Sequence, residues 1–403
     1  MTREHTIAIL GTFDSKGEEH LFLKERIEKR GLGTLTINLG TKAPPAFRPD
    51  YDLFPLIKAQ GDDVSHNRDR AIGWISREAQ KLILGLYERG LIHGVICAGG
   101  GTGTHLGTNV MRALPLGVPK VMVSTVASRD MKMTVGTRDI TMIHSVVDVL
   151  GVNSILGRIL DQAAGAVCGM VQAQWKKRDQ RRRIALTFFG FITDAAMHVK
   201  GYLERLGYEV IAFHANGTGG MAMEEMARDG YFTGVLDLAL HELADDLMGG
   251  YCKGIGPERL MGPETTTIPR LVVPGGLDCA VLEFTQGNIP EEYRDRKIFF
   301  YDFRSAIRLT KEETLLIADR VAEKLNDDPF HVKVLIPRRG WSEADHESGP
   351  LWDPSVSRAF VDELRKALDD RIEIKEIDLH INDQAFAQEA ARTMHEMVQS
   401  GRT

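Results

Sequence analysis

Four segments of this 403-residue chain gather small residues where an apolar run ends, so that free backbone N–H groups can meet an anion there. The first is GTFDSKGEE. Gly11, Thr12, Asp14, Ser15, Lys16 and Gly17 form a candidate phosphate turn at a helix start, with Lys16 balancing charge. Asp14 either holds Mg²⁺ or caps the helix. The second segment, AGGGTGTHLGT, is stronger: Gly99, Gly100, Gly101 and Gly103 remove side chains where a backbone must approach a ligand, and Thr102 and Thr104 add hydroxyls. Its structural alternative is a tight turn with close helix packing. Ser124 and Thr125 end the next apolar run as polar walls for a nucleotide, and Asp139 in VGTRDIT is a second candidate Mg²⁺ ligand. In HANGTGG, Gly217, Thr218 and Gly219 offer another phosphate turn. The titratable candidates lie in the same half of the chain: His241 after GVLDLAL, Asp278 in PGGLD, and Arg339 and Asp345 in RRGWSEADHESGPLWDP. His241 or Asp278 suits a general base. Arg339 suits a planar clamp for a carboxylate or phosphate, although arginines beside acids also make plain surface ion pairs.

Other chemistries lack their signatures. GxxxxGK[ST], GxGxxG and GxSxG are all missing, which argues against a Walker loop, a dinucleotide fingerprint and a serine-hydrolase elbow. The second strand, TLTINLGT, ends on Asn38 with no acid for an NAD ribose. No CxxC or HxxxH spacing points to structural zinc, and Cys97, Cys168, Cys252 and Cys279 sit apart in apolar segments as small buried side chains.

The elements that carry these segments come twice. IAILGTFDSKGEEHLFLKERIEKRG has the order of parts of IALTFFGFITDAAMHVKGYLERLG: apolar strand, turn, amphipathic helix, closing glycine. GVICAGGGTGT pairs with GVLDLALHELA, VPKVMVST with IPRLVVPG, and TRDITMIHSVVDVLGVNSILGRILDQAAGAV with YDFRSAIRLTKEETLLIADRVAEKL. Continuous apolar strands alternating with helices indicate parallel sheets buried on both faces. The spacing predicts helices over 17–29, 71–89, 154–175 and 355–368. TKAPPAFRPDYDLFP is too rich in proline to continue a sheet. Residues 1–180 then form one domain and 181–403 a second, larger one with extra C-terminal strands. Two such units imply a ligand cleft between them.

A net charge of −6 gives no sign of a nucleic-acid- or polyphosphate-coating surface. The one basic run, KKRDQRRR, lacks aromatic interleaving and reads as a solvated linker, so direct nucleic-acid binding is not expected. With no signal-like start and no apolar run long enough to span a bilayer, we expect a cytoplasmic protein without membrane contact.

GTFDSKGEEH, the glycine turn after GVICA, VPKVMVSTVAS, VGTRDITMIHSVVDV, FHANGTGGMAMEEM, GVLDLALHELADDL, VVPGGLD and PRRGWSEAD with GPLWDP, in this order, resemble the ATP-binding domain family found at the N-terminus of the tomato mosaic virus resistance protein and in many bacterial proteins. The resemblance spans nearly the whole chain. It implies two Rossmann-like domains, ATP binding and a homodimer. Three functions follow as expectations: an ATP-dependent enzyme acting by phosphoryl transfer on a small carboxylate or sugar acid, a cofactor-free hydrolase or lyase on an oxo acid, or a non-catalytic ATP-stabilised module that binds another protein.

Overall fold

The computed structural model describes residues 5–59, 67–173, 181–262 and 268–401. It divides into two compact units, Met1–Lys176 and Lys177–Thr403. Most of the basic run, residues 176–180, lies outside the described residues.

In the first unit, β1 (Thr6–Gly11), β2 (Gly33–Asn38), β3 (Tyr51–Asp52), β4 (Gly94–Gly99), β5 (Lys120–Ser124) and β6 (Thr141–His144) form one parallel sheet in the order β3-β2-β1-β4-β5-β6. Its helices are α1 (Gly17–Lys29), α2 (Phe54–Lys58), α3 (Arg68–Glu88), α4 (Gly101–Met111), α5 (Lys132–Val135) and α6 (Ser154–Gln172). Alternation along the strands explains the two-sided core. On β1, Ile7 and Ile9 pack with Leu23 of α1 and Leu160 of α6, while Ala8 and Leu10 pack with Ile75 of α3 and Val110 of α4. Asn67 and Asn153 start α3 and α6 by accepting hydrogen bonds from first-turn N–H groups. The proline-rich loop does return to the sheet, contrary to the composition argument. Asp50 accepts from the Thr36 backbone N and hydroxyl at 2.7 Å each, and this anchor lets Tyr51–Asp52 pair with β2.

The second unit's main sheet contains β7 (Arg182–Phe188), β8 (Tyr208–His214), β9 (Gly234–Ala239), β10 (Arg270–Gly275), β14 (Val332–Pro337) and β15 (Glu373–Ile377), in the order β15-β14-β10-β9-β7-β8 and all parallel. β11 (Cys279–Leu282), β12 (Ile298–Phe300) and β13 (Ser305–Arg308) make a small antiparallel sheet. Helices α7 (Thr193–Arg205), α8 (Thr218–Arg228), α9 (His241–Met248), α10 (Lys311–Leu325), α11 (Pro354–Ala367) and α12 (Gln384–Ser400) cover the main sheet. The run β8-β7-β9-β10 repeats β2-β1-β4-β5, so the duplication holds for four strands. The last expected pairing fails: β6 lies beside β5, whereas Ser305–Arg308 is β13 of the small sheet and β14 takes the place beside β10. The cause is local. Gly276, at φ +75°, turns the chain straight from β10 into β11, and the segment that follows pairs antiparallel with it.

A buried ion network ties the second unit together. Arg259 reaches Glu242 (2.6 Å), Asp237 (2.7 Å) and Glu224 (3.0 Å), and Arg270 reaches Glu224 and Asp237 at 2.6 Å each. Burial alone would raise the Asp237 carboxyl, but the two guanidiniums hold it below its usual range. Glu242, with only Arg259 close by, is raised by burial. Removing a shared guanidinium strands buried carboxylates. Arg259→Leu should therefore lower unfolding stability in urea by about 3–5 kcal/mol, well beyond a surface substitution.

Candidate functional site

In an open parallel sheet, ligands bind beyond the carboxyl ends of the strands, at the point where strand order reverses. In the first unit that point lies between β1 and β4, and the two glycine-rich turns, GTFDSKG and GGGTGT, flank it. In the second unit it lies between β7 and β9, followed by Phe189 and His241 respectively.

At the first edge, Gly99 is required by packing, since a Cβ there would stand 3.0 Å from the Gly103 Cα. Gly101, the first residue of α4, differs: a Cβ there meets nothing within 4 Å, and the residue is exposed. The first N–H groups of α4 have no intrahelical acceptor, as at any helix start. Around them, Thr102 accepts from Arg68 at 3.1 Å, and the buried hydroxyls of Thr104 and Ser124 bond at 2.7 Å. Thr125 donates its N–H to the Gly99 carbonyl at 3.2 Å. The Gly11 turn is tighter. Ser15 and Lys16 donate their N–H groups back to the Thr12 carbonyl, and a Cβ on Gly11 would overlap the His20 ring. His20, which sequence reasoning missed, is fully buried. Burial lowers its pKa, and the neutral ring donates to the Lys16 carbonyl (2.6 Å) and accepts from the Ala98 N–H (3.3 Å), bracing the two glycine turns against each other. Gly17 is also packed: a Cβ there would stand 2.9 Å from the Ala46 Cβ.

Three expectations for this unit need correction. Asp14 caps no helix: it accepts from the Lys42 N–H and the Ser15 hydroxyl at 3.0 Å each, fastening the 40–42 turn. Lys16 bonds the Val149 carbonyl. Asp139 precedes β6 and so lies at the opposite, amino edge of the sheet, where it binds the buried Lys120 ammonium and the Gly117 N–H at 2.7 Å each. Asp14 and Asp139 therefore do not converge, and this pair does not fit a Mg²⁺ site.

At the second edge, the NGTGG turn is closed. Gly217 (φ +82°) donates to Glu242 at 2.6 Å, Thr218 to the Asn216 carbonyl at 3.1 Å, and Gly219 to the Asn216 side chain at 3.0 Å. A Cβ on Gly219 would stand 2.0 Å from the His214 carbonyl oxygen. No amide of these three is left for a phosphate, which corrects that expectation.

His241, Asp278 and Asp345 do come together. His241 begins α9 with its ring stacked on Phe189 (4.4 Å between centroids, 11° between planes). Asp278 accepts from the Ser342 hydroxyl at 2.7 Å, and Asp345 accepts from the Trp341 N–H at 3.0 Å. Arg308, at the end of β13 and missed in the sequence, stands 3.3 Å from the second Asp345 oxygen. All four are buried. Asp245 and Cys252 adjoin them: Asp245 accepts from the Cys252 N–H (2.8 Å) and the Val281 N–H (2.6 Å). The buried Cys279 thiol is raised, by burial first and then by Asp278, Asp245 and Asp345. Three buried atoms here, His241 Nδ1, Asp278 Oδ1 and Arg308 Nε, have no partner among the described residues, while Arg308 Nη1 and Asp345 Oδ1 meet only as an ion pair. Each such atom costs about 1–3 kcal/mol unless a ligand or water meets it. Arg339 is not part of this group. It is exposed and paired with Asp378 at 2.7 Å, the surface ion pair that was its alternative. A cavity of about 750 Å³ opens at the other, amino edge of this sheet, beside Arg182, Thr233, Pro269 and His331, away from all these groups.

Residues 5–176 match the N-terminal domain, and residues 181–398 the C-terminal domain, described as "Uncharacterised protein family (UPF0261)". The chain belongs to the UPF0261 family. A UPF0261 protein of Clostridium tetani is 37% identical over 98% of this chain and 99% of its own. The ToMV resistance protein Tm-1(GCR237) of Solanum lycopersicum is 30% identical over 94% of this chain but 54% of its own length, so this chain spans about half of the tomato protein. Among solved structures, UDP-GlcNAc 2-epimerase of Methanocaldococcus jannaschii, in complex with UDP-GlcNAc and UDP, aligns over 97% of this chain and 92% of that one at 10% identity and a TM-score of 0.22, a value that carries no argument about ligand or chemistry. No helix among the described residues of this family member is long and apolar enough to cross a membrane.

The Asp345 carboxyl is pushed up to about 7, by burial first and then by Asp278, against the pull of Arg308. Its folded value thus lies above its unfolded one. Between about pH 4 and pH 7 the unfolded chain holds fewer protons than the folded chain, so this group's contribution makes stability fall as pH rises through that window. Urea unfolding across the window should show that decline in the wild type and a flatter profile in Asp345→Asn.

Proposed function

We propose that the chain is a nucleotide-binding enzyme, with ATP phosphates held at the carboxyl edge of the first unit, and that the buried cluster of the second unit is by itself an acid–base site for a small carboxylate. The observation that carries the nucleotide assignment is the open α4 start at a topological switch point, where Gly101 leaves space that a side chain would fill. Thr102, with Arg68 beside it, adds a hydroxyl and a cation for phosphate oxygens. Bound ATP would supply a transferable phosphoryl group, a reaction that asks the protein for positioning and charge stabilisation rather than a nucleophile. In the second unit, a carboxyl with a pKa near 7 can hold a proton at Asp345 and give it up, while the free Asp278 oxygen can accept one. The Arg308 Nε–H, which has no partner among the described residues, suits a substrate carboxylate. Arg308 thus takes the role first given to Arg339. The same acid pair also supports a second reading, a hydrolase or lyase of oxo acids that needs no nucleotide.

Gly101→Asp separates binding from folding. The position has room for the side chain and an unstrained φ, and an acid at a helix start favours the helix. Calorimetry with ATP·Mg should show affinity weakened at least about tenfold, roughly 1.4 kcal/mol, with a melting temperature unchanged or slightly higher. Equal ATP binding by variant and wild type would remove the assignment. Turnover of an oxo acid without nucleotide would select the second reading.

A further inference from the structure

We propose that His241, Asp245 and Cys252 bind a divalent transition-metal ion of the zinc class, leaving one coordination position open. The three side chains are buried, come from α9 and the turn after it, and place their ligand atoms within 4.8 Å of one another. An imidazole, a carboxylate and a thiol are the donor set that zinc takes, and three protein ligands with one free position is the pattern of zinc sites that act on substrates.

The geometry of His241 is the second observation. Its ring is 1% exposed. Nε2 stands 3.5 Å from Asp245 Oδ2, longer than an N–H···O hydrogen bond. That separation instead matches the edge of a tetrahedron with bonds of about 2.0–2.1 Å, which is roughly 3.3–3.4 Å. The remaining parts are already oriented: Phe189 fixes the plane of the ring, and the N–H groups of Cys252 and Val281 hold the two Asp245 oxygens. Such outer contacts set ligand direction in metal sites.

Charge favours the same reading. A dication with one thiolate, one carboxylate and one neutral imidazole is neutral overall, which suits a buried place better than an isolated carboxylate does. Binding displaces the Cys252 thiol proton to solvent. The site goes beyond the nucleotide reading and does not depend on it, since its ligands lie in the second unit and the ATP test concerns the first.

The test is Co²⁺ titration of the purified full chain after chelator treatment, followed by absorption. One equivalent should bind, with a thiolate-to-cobalt charge-transfer band and the strong visible bands of a four-coordinate ion. Cys252→Ala should lose the charge-transfer band and His241→Ala should weaken binding by more than the roughly 10–100-fold that follows loss of an outer partner. Cys279→Ala, which removes the other nearby thiol, should keep the band. If the Cys252 or His241 variant does not fold, the wild type decides alone: one equivalent of Zn²⁺ should raise its melting temperature and further Zn²⁺ should not. A folded wild type without one-equivalent uptake, or a band that survives in folded Cys252→Ala, overturns the site.

Discussion

The bond between Arg259 and Glu242, 2.6 Å long and wholly buried, decides how the second unit differs from the first. Glu242 is the second residue of α9, and its other oxygen takes the Gly217 N–H. One carboxylate therefore seats the helix that carries His241 and Asp245 and, at the same time, closes the turn that looks like a phosphate loop. Arg259 is held in turn by Asp237 on β9 and Glu224 on α8. Among the described residues no equivalent ion pair stands at the first unit's edge, where a Cβ at Gly101, the start of α4, would meet nothing within 4 Å. Duplication of a strand order thus produced two edges with different chemistry: a solvent-facing amide turn in one, and a sealed set of acids, a histidine, an arginine and thiols in the other.

Sealing explains the electrostatics of the second edge. Asp345 sits where water cannot stabilise its charge, so it keeps a proton to near neutrality, while Asp237, equally buried but between two guanidiniums, stays ionised. The two carboxylates differ in partners rather than in depth. Arg308 pairs with one acid, Asp345, and donates to the Asp353 carbonyl and the Ser357 hydroxyl, which leaves its Nε without a partner among the described residues, unlike Arg259, whose donors are used by three acids. The network around Arg259 is thus structural, and the group around Arg308 has capacity left for a ligand.

Much of the architecture was legible in the sequence. Helix α1 runs over Gly17–Lys29 as its spacing predicts, because glycines mark both ends, and the unbroken apolar strands led directly to parallel sheets. Position relative to a strand was the most useful local signal. His241 and Asp278 follow strands and reach the carboxyl edge, whereas Asp139 precedes one and lies at the other. What failed was anything decided by a distant partner. The NGTGG turn is filled by Glu242, 25 residues on, and Arg339 is taken up by Asp378, 39 residues on. Cys252 and Arg308 joined the site unannounced, although an arginine inside the apolar run SAIRL, and a histidine four residues before an aspartate on one helix face, were signals to follow.

Anion binding then belongs to the first unit's glycine turn and not to the second unit's closed one. Hydrogen–deuterium exchange of the full chain with and without ATP reads the amides themselves. Exchange should slow in peptides covering Gly99–Thr104, with those covering Gly217–Gly219 already slow and unchanged. Protection that appears at Gly217–Gly219, or none at Gly99–Thr104 under saturating ATP, would contradict it.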